Sequence, residues 1–328
     1  MPGADKKPET SKKPSSPGSS QNSKQPAVGR FVPPAWGPNG GRAYVTRPSG
    51  KLGPGPADAG HNSAATVSLE RDSRESAERL RILGIDWDWS AIDLEVIGGS
   101  AEGSDRPVER VRWRFRQNLS TIVWDAAKLE GNTFTLPEVR TLLDGSTVEG
   151  KRLDDQNQVI ALSEAYNELD RMVGDGTFAL TKATSDRLHG IVARHEAIEA
   201  GQFRGEGSVN GGGSVRLSTG GVVDGREHGE DGELLVEWFN NLLDYVDVIR
   251  DSRQRALIYA AAATRHQFYF DGNKRTAKLM ASGVLMSAGY EAISVPFSRL
   301  YEQNVSLDRM FETDDATSYM RLLADCAR

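Results

Sequence analysis

Eleven of the fourteen prolines lie within the first sixty residues, together with nine Lys/Arg against three Asp/Glu. A stretch this rich in Pro, Ser, Gly and Lys buries too little apolar surface to offset its ordering entropy. Residues 1–62 are therefore expected to form a disordered tail, and the folded body lies beyond it. The sixty residues carry +6 within a net charge of −6, which leaves −12 on the remainder. A basic arm suits nucleic acid or anionic lipid, or serves only as a solubilising tail. The acidic body argues against nucleic acid as its partner.

The 328 residues suffice for one large domain or two medium ones, and 38% hydrophobic with 26% charged content is ordinary for a packed core. No run approaches the roughly 20 apolar residues of a membrane span. Cys326 is the single cysteine, which excludes an internal disulfide and a Cys-based zinc site. It fits a reducing, cytoplasmic setting. The opening MPGADKKPETSKKP lacks the apolar core of a signal peptide.

From about residue 66 the pattern is helical, and residues 63–107 read as an N-terminal helical extension. In 108–131, Val111, Phe115, Leu119, Ile122 and Ala126 recur at spacings of three and four, one face of a helix that Gly131 stops. Thr135 and Glu138 then form a capping box. Further helices are expected over 152–173, 180–199, 233–250, 252–267, 275–288 and 315–326. The glycine-rich GQFRGEGSVNGGGSVRLSTGGVVDGREHGEDG reads as a β-hairpin or flap. The expected fold class is mainly α with one β-hairpin flap.

The stretch HQFYFDGNKRTAK (266–278) carries the chemistry. A helix N-terminus exposes unpaired N–H groups and binds anions. Gly272 and Asn273 tolerate the left-handed turn that makes an anion nest. Lys274, Arg275 and Lys278 add positive charge, which together makes a site for a polyphosphate. Asp271 suits Mg²⁺, which takes one or two carboxylates plus phosphate oxygens. His266 suits a general base. The alternative is an ordinary turn between helices followed by solvated basic residues.

These residues resemble the Fic (Fido) family, whose motif reads H-x-F-x-[D/E]-[G/A]-N-[G/K]-R-x-x-[R/K]. LEGNTFTLPEVRTLLDG (129–145) resembles its inhibitory-helix element. AGQFRGEGSVN (200–210) resembles the segment leading into its flap, and SAGYEAISVP (287–296) what commonly follows the motif helix. The resemblance spans roughly 108–325. It implies a helical core with a hairpin flap and a Mg²⁺-dependent protein adenylyltransferase that moves AMP from ATP to a Ser, Thr or Tyr hydroxyl in an extended segment. A homodimer is left open. Carried over, His266 is the base, Asp271 the metal residue, and Gly272, Asn273, Lys274, Arg275 and Lys278 the nucleotide site. Glu130, with Asn132 beside it, becomes an inhibitory element that reaches Lys278. Arg204, Val209, Asn210 and Gly211 belong to the flap.

Three departures leave alternatives open. The family places His four residues before the acidic residue, and here that position is Gln267, with His266 five before. Either the loop has an extra residue and His266 acts, or Gln267 holds the place and the chain is a catalytically weakened nucleotide-binding protein. Lys274 resembles the Doc-like branch, which transfers phosphate. Ala126 and Lys278 stand where Ser/Thr and Arg are usual, which implies a weaker Glu130 brake.

Overall fold

The structure is a computed structural model that describes residues 62–99 and 105–328. The expected tail lies outside the described residues except for Asn62, where the first helix starts. The helices are α1 Asn62–Leu83, α2 Pro107–Leu129, α3 Leu136–Leu143, α4 Leu153–Gly174 and α5 Lys182–Val192. A hairpin of β1 Val215–Arg216 and β2 Val222–Val223 follows. Then come α6 Glu233–Asp247, α7 Ser252–His266, α8 Asn273–Ser287, α9 Leu300–Thr313 and α10 Thr317–Asp325. The class is mainly α with a two-stranded antiparallel hairpin, in which Val215 pairs with Val223 and Arg216 with Val222.

The α7–α8 pair is the centre. Every residue from Ala256 to His266 is buried, and so is nearly all of α8. Ala260 to Ala263 carry only methyl groups, so α8 approaches α7 closely. The α2, α4 and α5 helices pack together, with all three also touching α8, while α6 and α10 pack on α7. The α2 face is as its spacing predicts: Val111, Phe115, Ile122 and Ala126 are buried, and Leu119 is half-buried against the core. Gly131, at φ +87°, turns the chain beyond α2. Glu138 Oε2 accepts from the Thr135 N–H at 2.8 Å, as the capping box requires.

Two features differ from the sequence reading. The hairpin is confined to SVRLSTGGVV (214–223); the SVN earlier in the glycine-rich stretch is a loop. The Glu199 carboxylate accepts from the backbone N–H groups of Ser208 and Val209, which holds that segment out of strand geometry. Helix α9 was not expected at all. Its buried face mixes Gln303 and Ser306 with Leu307, Met310 and Phe311, so apolar periodicity is weak there.

Gly283 fixes how closely Phe178 packs on α8. A Cβ at this position would sit 2.2 Å from the Phe178 ring. Gly283→Ala is expected to cost about 1–3 kcal/mol through overpacking. Thermal melting should show a fall of several degrees, and an unchanged melting temperature would contradict this packing.

Candidate functional site

Helix α7 ends because Gln267 adopts a left-handed conformation, φ 53° and ψ 58°. The loop to α8 is then stapled by one buried side chain. Asn273 Nδ2 donates to the Tyr269 carbonyl at 2.7 Å and to Gln267 Oε1 at 3.0 Å. Its Oδ1 accepts from the Tyr269 N–H at 2.8 Å. Gln267 Nε2 donates to the Thr264 carbonyl at 2.7 Å, so the carboxamide is held at both ends. Gly272 sits at φ +73°, and a Cβ there would fall 2.8 Å from that of Ala193. The position therefore needs glycine both for its backbone and for space.

His189, which the sequence left without a role, supports this loop from below. Its ring is wholly buried and stacks on Tyr269 with centroids 3.7 Å apart. Nδ1 accepts from the Gly201 N–H at 2.8 Å, so the proton is on Nε2, which donates to the Asp271 carbonyl at 2.8 Å. Burial pushes the His189 pKa down to about 4.

Above the loop lies a cavity of about 470 Å³. The loop and the start of α8 supply Gln267, Phe270, Asp271, Gly272, Asn273, Lys274 and Arg275. The end of α2 supplies Glu130, the hairpin supplies Ser214 to Ser218, and α9 supplies Asn304, Leu307, Asp308 and Phe311. The volume lies within the usual range for small-molecule sites.

His266, expected at the site as base, is not brought to the cavity. Its ring has 0% exposure and packs between Trp238 and Phe268, at centroid distances of 4.8 and 5.3 Å. Neither ring nitrogen has a hydrogen-bond partner. Burial, then the charges of Arg226 and Arg265, push its pKa down to about 3; the Leu83 carbonyl opposes them without reaching hydrogen-bond geometry. The helical register explains the outcome: His266 is the last residue of α7 and faces the core, and Gln267, four before Asp271, is the one that lines the cavity.

The cations are also redistributed. Arg275 is 4% exposed, and its guanidinium is held by both Glu196 oxygens at 2.8 and 2.6 Å. Lys278 does not line the cavity; it is 5% exposed and its Nζ lies 3.5 Å from Gln303 Oε1. Burial pushes the Lys278 pKa down to about 8, against the pull of Glu130. Lys274 is the partly exposed cation at the start of α8, and Glu130 Oε2 lies 3.4 Å from its Nζ; Arg216 of the hairpin, exposed, also lines the cavity. The inhibitory-type carboxylate thus pairs with Lys274, where Lys278 was expected. Burial alone would raise the Glu130 pKa, but Lys274, Arg275 and Lys278 together outweigh it and hold the group ionised.

Of the remaining expected residues, the structure brings only Asp271 to the cavity. Asn132 is 3% exposed and ties the α2–α3 turn to the start of α4, donating to the Asp155 carbonyl and to Gln158 Oε1. Arg204 is 2% exposed and binds three carbonyls, of Gln267, Gly212 and Arg226, at 2.7, 2.9 and 2.7 Å. It joins the loop to the base of the hairpin and does not reach the cavity. Val209, Asn210 and Gly211 precede the hairpin and do not line the cavity either. Asp271 does, with its side chain 57% exposed and Oδ1 accepting from the Gly272 N–H at 2.5 Å. Among the described residues no group of three or more His, Cys, Asp or Glu is placed to hold a metal. A single open carboxylate fits Mg²⁺ only where phosphate oxygens and water complete its shell.

No protein-family model matches the chain. It is 25% identical over 205 residues to the protein adenylyltransferase Fic of Drosophila willistoni, covering 62% of this chain and 39% of that protein. It is 27% identical over 208 residues to the protein of the same name from Drosophila grimshawi, covering 62% and 40%. The chain thus spans about two fifths of the length of these curated relatives. Among solved structures, Fic-1 from C. elegans aligns with a TM-score of 0.55 at 21% identity, over 82% of this chain and 76% of that one. A Fic domain containing signaling protein from Bacteroides thetaiotaomicron aligns at 0.52 and 20% identity, over 69% and 88%. The described body has the fold of a Fic domain.

The two buried histidines make stability depend on pH. Both stay neutral in the folded protein, whereas the unfolded chain takes up protons below about pH 6.5. The unfolded state then binds more protons, so stability falls as pH drops from 6.5 towards about 4 for His189 and about 3 for His266. Urea titrations between pH 7 and 4.5 should show His266→Phe removing about one proton from the slope. An unchanged slope would mean that the His266 ring is hydrated.

Proposed function

We propose that this chain binds ATP in the cavity and carries out protein adenylyl transfer, with the transfer step held slow because Gln267, not an imidazole, stands at the acceptor. The observation that carries this reading is the side-by-side placement of Gln267 in the cavity wall and His266 in the core.

The phosphates fit the α8 N-terminus, where the first N–H groups of the helix have no intrahelical partner and the helix dipole favours anions. Lys274 adds accessible charge beside the helix start, and Arg216 adds more from the hairpin. Arg275, held by Glu196, contributes a fixed field more than a free fork. Asp271 is the residue that would hold Mg²⁺, which when bound neutralises phosphate charge. The five hairpin residues along the cavity offer a strand edge on which an extended protein segment can lie and present its hydroxyl. That hydroxyl must lose a proton when it attacks phosphorus. A carboxamide cannot take it, and loss of a general base typically costs about 10²–10⁴-fold. Glu130 adds a second restraint, because it holds Lys274 and sets a negative charge where phosphate oxygens would lie.

A second reading, phosphate transfer of the Doc-like kind, is favoured by Lys274 at the cavity mouth. ATP labelled at the α or the γ position separates the two.

Gln267→His should raise incorporation of α-labelled AMP by about 10²–10⁴-fold. His266→Ala should leave transfer per folded molecule within a few-fold in either background. Loss of all transfer in His266→Ala alone would overturn this assignment. Glu130→Gly frees Lys274 and should tighten binding of a fluorescent ATP analogue by roughly 5–30-fold, since charge-assisted pairs weaken with partial exposure. Weaker binding in that variant would show that Glu130 is no brake.

A further inference from the structure

The cavity has two chemically distinct ends. The loop and the α8 N-terminus bring Lys274, Arg275 and the unpaired N–H groups of the helix start to one end, and Arg216 of the hairpin adds a further cation to the wall. The α9 face has no cation: Asn304, Leu307, Asp308 and Phe311 recur at spacings of three and four and present two apolar and two polar side chains. Leu217 of the hairpin lines the same cavity. The unpaired N–H groups and dipole of α8 draw a triphosphate to the first end. A nucleotide bound that way would lay its nucleoside along α9, with the base against Leu307 and Phe311.

Asp308 is held in place there. The Ser218 N–H donates to both Asp308 oxygens at 3.1 Å, and the Ser218 hydroxyl donates to Oδ2. An ionised carboxylate offers about four acceptor sites, so capacity remains after these bonds. It has no donor to offer. Asn304, one helical turn earlier on the same face, has both.

We propose that Asp308 is a specificity-determining residue that accepts a hydrogen bond from the exocyclic amine of the nucleobase, so that the cavity selects amino-bearing purines such as adenine over bases with a carbonyl at that position. A carbonyl oxygen facing the carboxylate would leave two acceptors opposed. Sites built to bond one polar group reject the analogue lacking it strongly. The inference rests on the ATP reading above and adds which part of the nucleotide is read, and by what.

The test is equilibrium binding of ATP and ITP, which differ in the 6-amino group, to the whole chain and to Asp308→Ala and Ser218→Ala. Wild type is expected to bind ITP about tenfold or more weakly than ATP. Asp308→Ala should bring the two affinities within about threefold, because the discriminating acceptor is gone. Ser218→Ala, which keeps the carboxylate and loses only the hydroxyl clasp, should retain the preference. Equal binding of ATP and ITP by wild type overturns this proposal and leaves the ATP reading standing. A preference that survives in Asp308→Ala also overturns it, and would reduce Asp308 to a clasp for the hairpin. Absence of binding by either nucleotide overturns the ATP reading itself. Should Asp308→Ala fail to fold, the wild-type ratio alone still decides.

Discussion

The Asn273 side chain is the interaction on which the rest depends. Its three hydrogen bonds, two to the Tyr269 backbone and one to the Gln267 amide, close the loop between α7 and α8. Closing the loop fixes the left-handed turn at Gln267, the approach of Gly272 to Ala193, and the direction in which the first N–H groups of α8 point. Because a one-residue step on a helix rotates a side chain by about 100°, the same closure sends Gln267 to the cavity and His266 to the core. Buried polar networks of this sort are rigid when fully satisfied.

Around this loop the charges are arranged to be restrained. Arg275 is held by Glu196 and Lys278 is buried beside Gln303. Lys274, the accessible cation of α8, faces Glu130, and Arg216 reaches the cavity from the hairpin. A phosphate arriving at α8 thus meets a lysine already paired. Under the proposed function, phosphates are held by backbone and helix dipole first and by side chains second, and the transfer step is muted.

The helical body was legible because α2, α4 and α6 bury regular apolar faces. DGNKR was legible as a turn that opens a basic helix, and the resemblance of the flanking segments is what favoured a phosphate loop over an ordinary turn. The register of His266 was not, because H-x-F spacing and D-G-N spacing disagree by one residue and only the loop geometry decides between them. The pairing of Glu130 with Lys274 was also hidden. Which of two lysines four residues apart faces a distant carboxylate depends on how α2 packs on α8. His189, Glu196 and Asp308 come from α5, the turn after it and α9, and no local pattern marks them. Helix α9 escaped notice because Gln303 and Ser306 occupy its buried face.

A crystal structure of the chain with ATP and Mg²⁺ tests the account most directly. The account predicts phosphates at the α8 N-terminus, the Gln267 amide beside the transferred phosphorus, and the His266 ring still packed against Trp238. A His266 imidazole turned out of the core to within hydrogen-bond reach of the nucleotide would contradict it.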